Sequence, residues 1–263
     1  MKKNLRFIGL LVRYKFSRMM MFRADFFAAF FSDCTLFVVQ LLCFQAIYSQ
    51  IDTIGGWTRG QMIIFIGTFS MINALNMVIF FFGIVDLPDK IRRGDLDQYL
   101  TKPVNPLLRL TFENFNAGSI PLIFMSVLII AYGVSVTGAE VSLPRGIGYA
   151  FFVLLMTLLW YDMELIIRTI PFFVLSATGI IRVEGQMLEF CMKVPGVFFR
   201  GAFRLVFYFI VPYGIMSTVP TQLITGSIKG MGLGVSALTV AVFTVFALWF
   251  WKSGLRHYKS ASS

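Results

Sequence analysis

Long apolar runs recur from residue 26 onward, several close to the ~20 residues that a helix needs to cross a hydrocarbon core about 30 Å thick. A chain that enters lipid must satisfy every backbone N–H and C=O internally, so only helices and closed barrels are open to it. Dense Leu, Ile and Phe, with 30 Phe in 263 residues, show no period-two alternation, which argues against a barrel. Charged residues make up 14%, well below the ~25% of soluble domains. The expected class is all-α integral membrane protein, with six transmembrane helices and an N-terminal amphipathic interfacial helix.

The net charge of +10 comes from basic residues clustered beside apolar runs, where the positive-inside rule and anionic headgroups account for them. No nucleic-acid motif accompanies the charge, so no nucleic acid is expected as a partner; membrane lipids are. Cys34, Cys43 and Cys191 show no metal spacing, and Cys34 and Cys43 lie about 13 Å apart along one helix, too far for a disulfide. With His257 the one histidine, His-based metal sites and catalytic triads are excluded. Neither a metal site nor a catalytic residue is expected.

Residues 1–24 interleave seven basic side chains with Leu5, Ile8, Leu11, Val12, Phe16 and Met19, the pattern of a helix lying in the headgroup layer. The membrane domain then covers 25–260, with spans expected at 26–47, 61–85, 108–138, 147–181, 201–218 and 233–251. The fourth is one long helix kinked at Pro171, and the third is broken by Pro121. A polar loop, 86–107, separates spans two and three, and 183–198 forms a second cytoplasmic segment. STVPTQLITG, 217–226, is too polar to span and suits a short re-entrant or interfacial helix. Gly226, Gly230 and Gly234 carry G-x-x-x-G spacing, consistent with close helix packing or with a flexible loop. Under this topology 20 Lys and Arg lie on one side and three on the other, which places both termini in the cytoplasm.

Within 86–107, Asp86 is expected to cap a helix beginning near Pro88, Gly94 to interrupt it, and Asp95 to cap a second turn that Pro103 and Pro106 close. The residues leave two readings open. One is a rigid cytoplasmic knob that offers Leu96, Tyr99 and Leu100 to a partner's groove; the other is a solvated loop packed only on its own protein.

IRRGDLDQYLTKPVNPL resembles the G-(x)-L-D-x-x-L-x-(K/R)-P loop of a branch of the type-two ATP-binding-cassette exporter permeases, and FRLVFYFIVPYGIMSTVPTQLITG, 203–226, is similar to that branch's proline-containing fifth span. The Phe-Trp pair usual in that family near the cytoplasmic end of span four has no counterpart at Ala177–Ile181. The resemblance implies a permease of the bacterial cytoplasmic membrane, working as a homodimer or as a heterodimer with a similar permease. A separate ABC ATPase subunit, carrying ATP and Mg, would dock on the coupling residues Ile91, Arg92, Arg93, Gly94, Asp95, Leu96, Asp97, Tyr99 and Leu100. The chain itself carries no G-x-x-x-x-G-K-(S/T) phosphate loop and is expected to be no enzyme and to hold no cofactor.

Ionisable groups inside a bilayer are functional candidates because burying them is costly. Asp33, Asp162, Glu164 and Arg168 fall there. Glu164 and Arg168 stand four apart and can pair on one helix face, either as a structural pair or as part of a working site. A rival expectation is a self-sufficient proton-coupled carrier that uses Asp33 and Asp162.

Overall fold

The computed structural model describes residues 9–11, 13, 23–174 and 176–258, so the expected interfacial helix at 1–24 lies almost wholly outside the described residues. The first long helix, α1 (Arg23–Tyr48), ends at a hairpin of two short antiparallel strands, β1 (Thr53–Ile54) and β2 (Trp57–Thr58). Gly55 and Gly56 turn it with φ of 56° and 81°, the paired left-handed conformation that a tight hairpin demands. Thr58 and Gln61 close a reciprocal capping box that launches α2 (Arg59–Ile79).

The axis of the bundle is α2, most of whose side chains are buried. It packs on α7 (Ile120–Thr137) through glycines: a Cβ on Gly133 would stand 2.7 Å from the Ile64 side chain, and one on Gly67 2.8 Å from Ile130. Between them the chain makes four short helices, α3 (Phe81–Ile84), α4 (Leu87–Arg93), α5 (Asp97–Leu100) and α6 (Pro106–Glu113). The expected third span at 108–138 is therefore two pieces. Its break falls at Asn114–Asn116, and Pro121 begins α7 instead of breaking it, since a first turn lacks a use for the missing N–H.

α8 (Leu143–Thr169) runs through the core and tightens into a 3-10 turn at Ile170–Phe172. It ends there. The expected kinked continuation to Ile181 is overturned, because the chain breaks and starts a separate helix, α9 (Thr178–Lys193). A 3-10 turn at Gly196–Phe198 follows. Next come α10 (Gly201–Leu205), which runs on as a wide π turn through Ile210, then α11 (Tyr213–Met216) and α12 (Thr218–Ile224). The two arms, Gly201–Ile210 and Tyr213–Ile224, are bent by 81° at Val211 and Pro212. The long α13 (Gly230–His257) closes the fold.

Among the described residues, α2, α7, α8 and α13 are each long and apolar enough to cross a membrane, and the bent arms count as a fifth if taken as one span. The path of α9 alters the expected topology. Its start shares a cavity wall with Pro88 and Asp89, beside the far end of α2. Beyond its end, the Phe198 ring lies against Gly55, and Val197 and Phe198 join Trp57, Met62 and Phe65 in one apolar cluster at the near end of α2. Gln40 of α1 also donates to the Met192 carbonyl at 3.0 Å. Residues 178–198 thus travel the length of α2, about 31 Å at 1.5 Å per residue, and do not form a segment confined to one end.

The bent arms at 201–224 pack from the hairpin end. Ser217 donates to the Phe65 carbonyl at 2.6 Å, Thr218 accepts from the Gly196 amide at 2.8 Å, and Leu223 approaches Gly148 near the start of α8. The expected continuous span at 201–218 is a broken one. A short helix does fall within 217–226, as its mixed polarity suggested. Gly226 turns the chain with φ of 71°, while Gly230 and Gly234 meet no neighbour within 4 Å, so among the described residues no close packing uses the G-x-x-x-G spacing.

Candidate functional site

Two groups of polar residues stand out, one in the loop at the Pro88 end and one inside the bundle above it. In the loop, Gly94 ends α4 in the left-handed conformation (φ 77°), as its position suggested. Asp86 and Asp95 do not cap: Asp86 is itself helical with no side-chain bond, and Leu96 occupies the cap position of α5 without a side-chain bond. The cap that holds is Asn105, whose Oδ1 accepts from the Leu107 amide at 2.9 Å while Pro106 opens α6. The Asn-Pro pair was the signal for it in the sequence.

Glu113, from the last turn of α6, gathers the loop around itself. It accepts from the Tyr99 hydroxyl at 2.6 Å, pairs with Arg109 at 3.3 Å and faces Lys90 at 4.0 Å, while the Arg109 guanidinium lies 4.2 Å over the Tyr99 ring. Burial, then the bond to Glu113, raises the Tyr99 pKa, so the phenol stays a donor.

Leu96 and Tyr99 point inward, with Leu87, Leu107 and Leu110, onto Phe80, Ile84, Leu165 of α8, and Ala247 and Trp251 of α13. Of the three residues expected to form an outward apolar face, Leu100 alone is exposed, at 41%; Leu96 is fully covered by its own chain. Leu96 sits at the cap position of the short α5 and Tyr99 within it, and both are covered by the bundle, whereas Leu100, the last residue of that turn, is left at the surface. The outward surface is formed by Arg92, Arg93, Asp95 and Leu100, with Ile91, Gly94 and Asp97 half-buried behind them. Arg92 pairs with Asp89, which holds that carboxyl below its usual range.

Inside the bundle, Glu164 and Arg168 of α8 pair at 3.0 Å, with both side chains nearly inaccessible. Trp160 donates to Glu164 at 3.5 Å. Glu184 of α9, which the sequence reading passed over, lies in the field of Arg168 and accepts from the Tyr213 hydroxyl of α11. Three helices therefore meet on one buried cluster. Glu184 was hidden because a helix carrying Arg182, Glu189 and Lys193 reads as a surface segment. Asp162 lies apart and accepts from Thr244 of α13 at 2.5 Å. Asp33 belongs to α1, and its side chain lies outside the described residues. A third feature is the outer side of α9, where Arg182, Gln186, Glu189 and Lys193 form an exposed polar stripe along the whole helix.

Among the described residues the chain is thus a helical bundle whose long helices could cross a bilayer, with a structured loop rooted in two of them and a polar helix along its length. The ABC-2 family transporter protein family matches residues 34–262, and the chain belongs to that family. No curated protein and no solved structure matches it. Membership makes the chain the permease component of an ABC transporter, a multi-pass membrane subunit without its own nucleotide-binding site that works with an ABC ATPase subunit. It takes the place of the rival expectation of a self-sufficient carrier.

Proposed function

We propose that the chain is the permease half of an ATP-driven exporter of the bacterial cytoplasmic membrane. Two copies, or this chain and a similar permease, enclose the path, and an ATPase binds the outward surface of the 86–107 loop. The observation that carries the reading is the seating of that loop. Leu96 and Tyr99 key into Leu165 of α8 and Trp251 of α13, so a push on the loop is transmitted to two long helices at once. Of the coupling residues, Arg92, Arg93, Asp95 and Leu100 make the contact. Ile91, Gly94, Leu96, Asp97 and Tyr99 shape and anchor the surface that presents them.

Six crossings, α1, α2, α7, α8, α9 and α13, keep both termini on one side, with the bent arms entering and leaving at the hairpin end. Moving Lys193, Arg200 and Arg204 to the hairpin side changes the basic count to 17 against six, which still favours a cytoplasmic Pro88 end. The polar stripe of α9 supports a path there, since an exposed charged face on a crossing helix cannot rest against lipid. Substrate would pass along it when two subunits face each other.

The test is made in the purified complex with its ATPase. Leu100→Asp combined with Arg93→Glu is expected to abolish transport and to uncouple ATP turnover from substrate, with the permease still folded. Unchanged transport and unchanged coupling would remove the docking assignment. Leu96→Asp is unsuitable for this purpose, because it would unseat the loop from its own protein.

A further inference from the structure

Between the bent arms and the first turns of α13 lies a cavity of about 430 Å3, within the ~300–1,000 Å3 of pockets that hold small molecules. Buried residues form its floor, among them Gly196, Phe199 and Val219, while Arg204, Phe209, Met231 and Val235 at its rim are exposed. The lining is mostly apolar, and its polar side chains are Arg204, Tyr208, Gln222 and Ser236. Ser236 gives its hydroxyl to the Gly232 carbonyl at 2.9 Å, so the other three are the groups left to meet an occupant.

Arg204 is the one charge among the lining residues, and its guanidinium lies 5.4 Å from the centre of the Tyr208 ring. Among the described residues no ion pair engages it. Its own part of the chain supplies no counter-charge either, because residues 190–263 contain no Asp or Glu. Arg200 and Lys229, adjacent in sequence to the lining residues Phe199 and Ile228, are exposed and of the same sign. The cavity therefore favours an anion.

The surroundings of the rim say what carries that anion. Phe209 and Ile210 of the first arm, and Met231, Val235 and Leu238 of α13, are large apolar side chains left exposed. In a multi-pass subunit such a surface meets acyl chains, so the cavity opens on lipid. A bare anion would leave the apolar walls unfilled, and a hydrocarbon would leave the guanidinium without an acceptor. An amphiphile with an anionic head satisfies both.

We propose that this cavity binds an anionic phospholipid, with its phosphate on Arg204, Gln222 and Tyr208 as further donors, and an acyl chain along Val219, Ile228 and Val235. The site uses neither the 86–107 loop nor the polar stripe of α9, so it stands apart from the transport reading. A lipid seated there touches both the bent arms and α13, and it stabilises the folded chain by mass action.

The experiment uses the full chain purified in a neutral detergent, without ATPase, and follows thermal unfolding by the helical circular dichroism signal. The additions are phosphatidylglycerol, phosphatidylcholine and diacylglycerol of one chain length, and inorganic phosphate against chloride at matched ionic strength. Phosphatidylglycerol is expected to raise the unfolding temperature well above the effect of the other three. In Arg204→Gln, an exposed position, the half-saturating concentration of phosphatidylglycerol should rise about tenfold. Val235→Trp, which puts bulk at the rim, should weaken the response as well. Lys252→Gln, which removes an exposed charge near the other end of α13, should respond like the parent chain. The proposal is overturned if phosphatidylglycerol has no effect, if any of the other three additions matches it, if either rim variant responds like the parent chain, or if Lys252→Gln weakens the response as much as Arg204→Gln.

Discussion

α7 and α9 both expose a long face, and the two faces differ in chemistry. α7 presents Phe124, Val127, Leu128 and Tyr132, while α9 presents Arg182, Gln186, Glu189 and Lys193 beside the apolar Val183 and Phe190. Their inner sides differ too. α7 approaches α2 through Gly133, with backbone nearly touching backbone, whereas α9 is held by the bond from Tyr213 to Glu184 and by apolar packing around Cys191. On the proposed topology, a crossing helix need not be uniformly apolar: it needs an apolar or satisfied inner side and an outer side matched to what it meets, which the proposal makes lipid for α7 and water or another subunit for α9.

The largest effect that would break this contrast is a charge placed mid-helix on each outer face. Leu128→Asp should cost about 2.5–3.5 kcal/mol of insertion free energy, and Gln186→Asp far less; comparing the inserted fractions in membranes checks it. Equal losses would mean that α9 also faces lipid. Next, Tyr213→Phe removes the donor to Glu184 and should lower stability by about 1–3 kcal/mol, read as an earlier thermal transition of the purified chain. A comparable loss, about 1–3 kcal/mol, is expected from Gly133→Ala, because the new Cβ would stand 2.9 Å from the Ile64 backbone nitrogen; denaturant titration in detergent measures it.

The smallest effect sharpens the contrast most. Gly185, on the outer side of α9, has nothing within 4 Å, so Gly185→Ala should stabilise the isolated chain by up to about 1 kcal/mol. If a second copy packs closely on the stripe, the gain will turn into a loss on assembly, visible as a weaker dimer in native mass measurements.

Much of the site was legible in the sequence because it rests on local rules. Gly94 had to end a helix, and the i, i+4 spacing of Glu164 and Arg168 brought them together. The inward turn of Leu96 and Tyr99 was not legible, since a four-residue helix has too little periodicity to say which side is covered. Nor was the partnership of Glu184 with Tyr213, 29 residues on, which arises only after the chain has bent at Val211 and Pro212.

By itself the sequence determined the medium and the class. Its hydrophobic content and run lengths demand helices in a bilayer, and its loop motif points to a permease. The tertiary structure alone decided the route between the two ends of the bundle. Hydropathy measures the average of a segment, whereas a crossing requires only that each side of a helix suit its own neighbours, and those neighbours exist only once the bundle has formed.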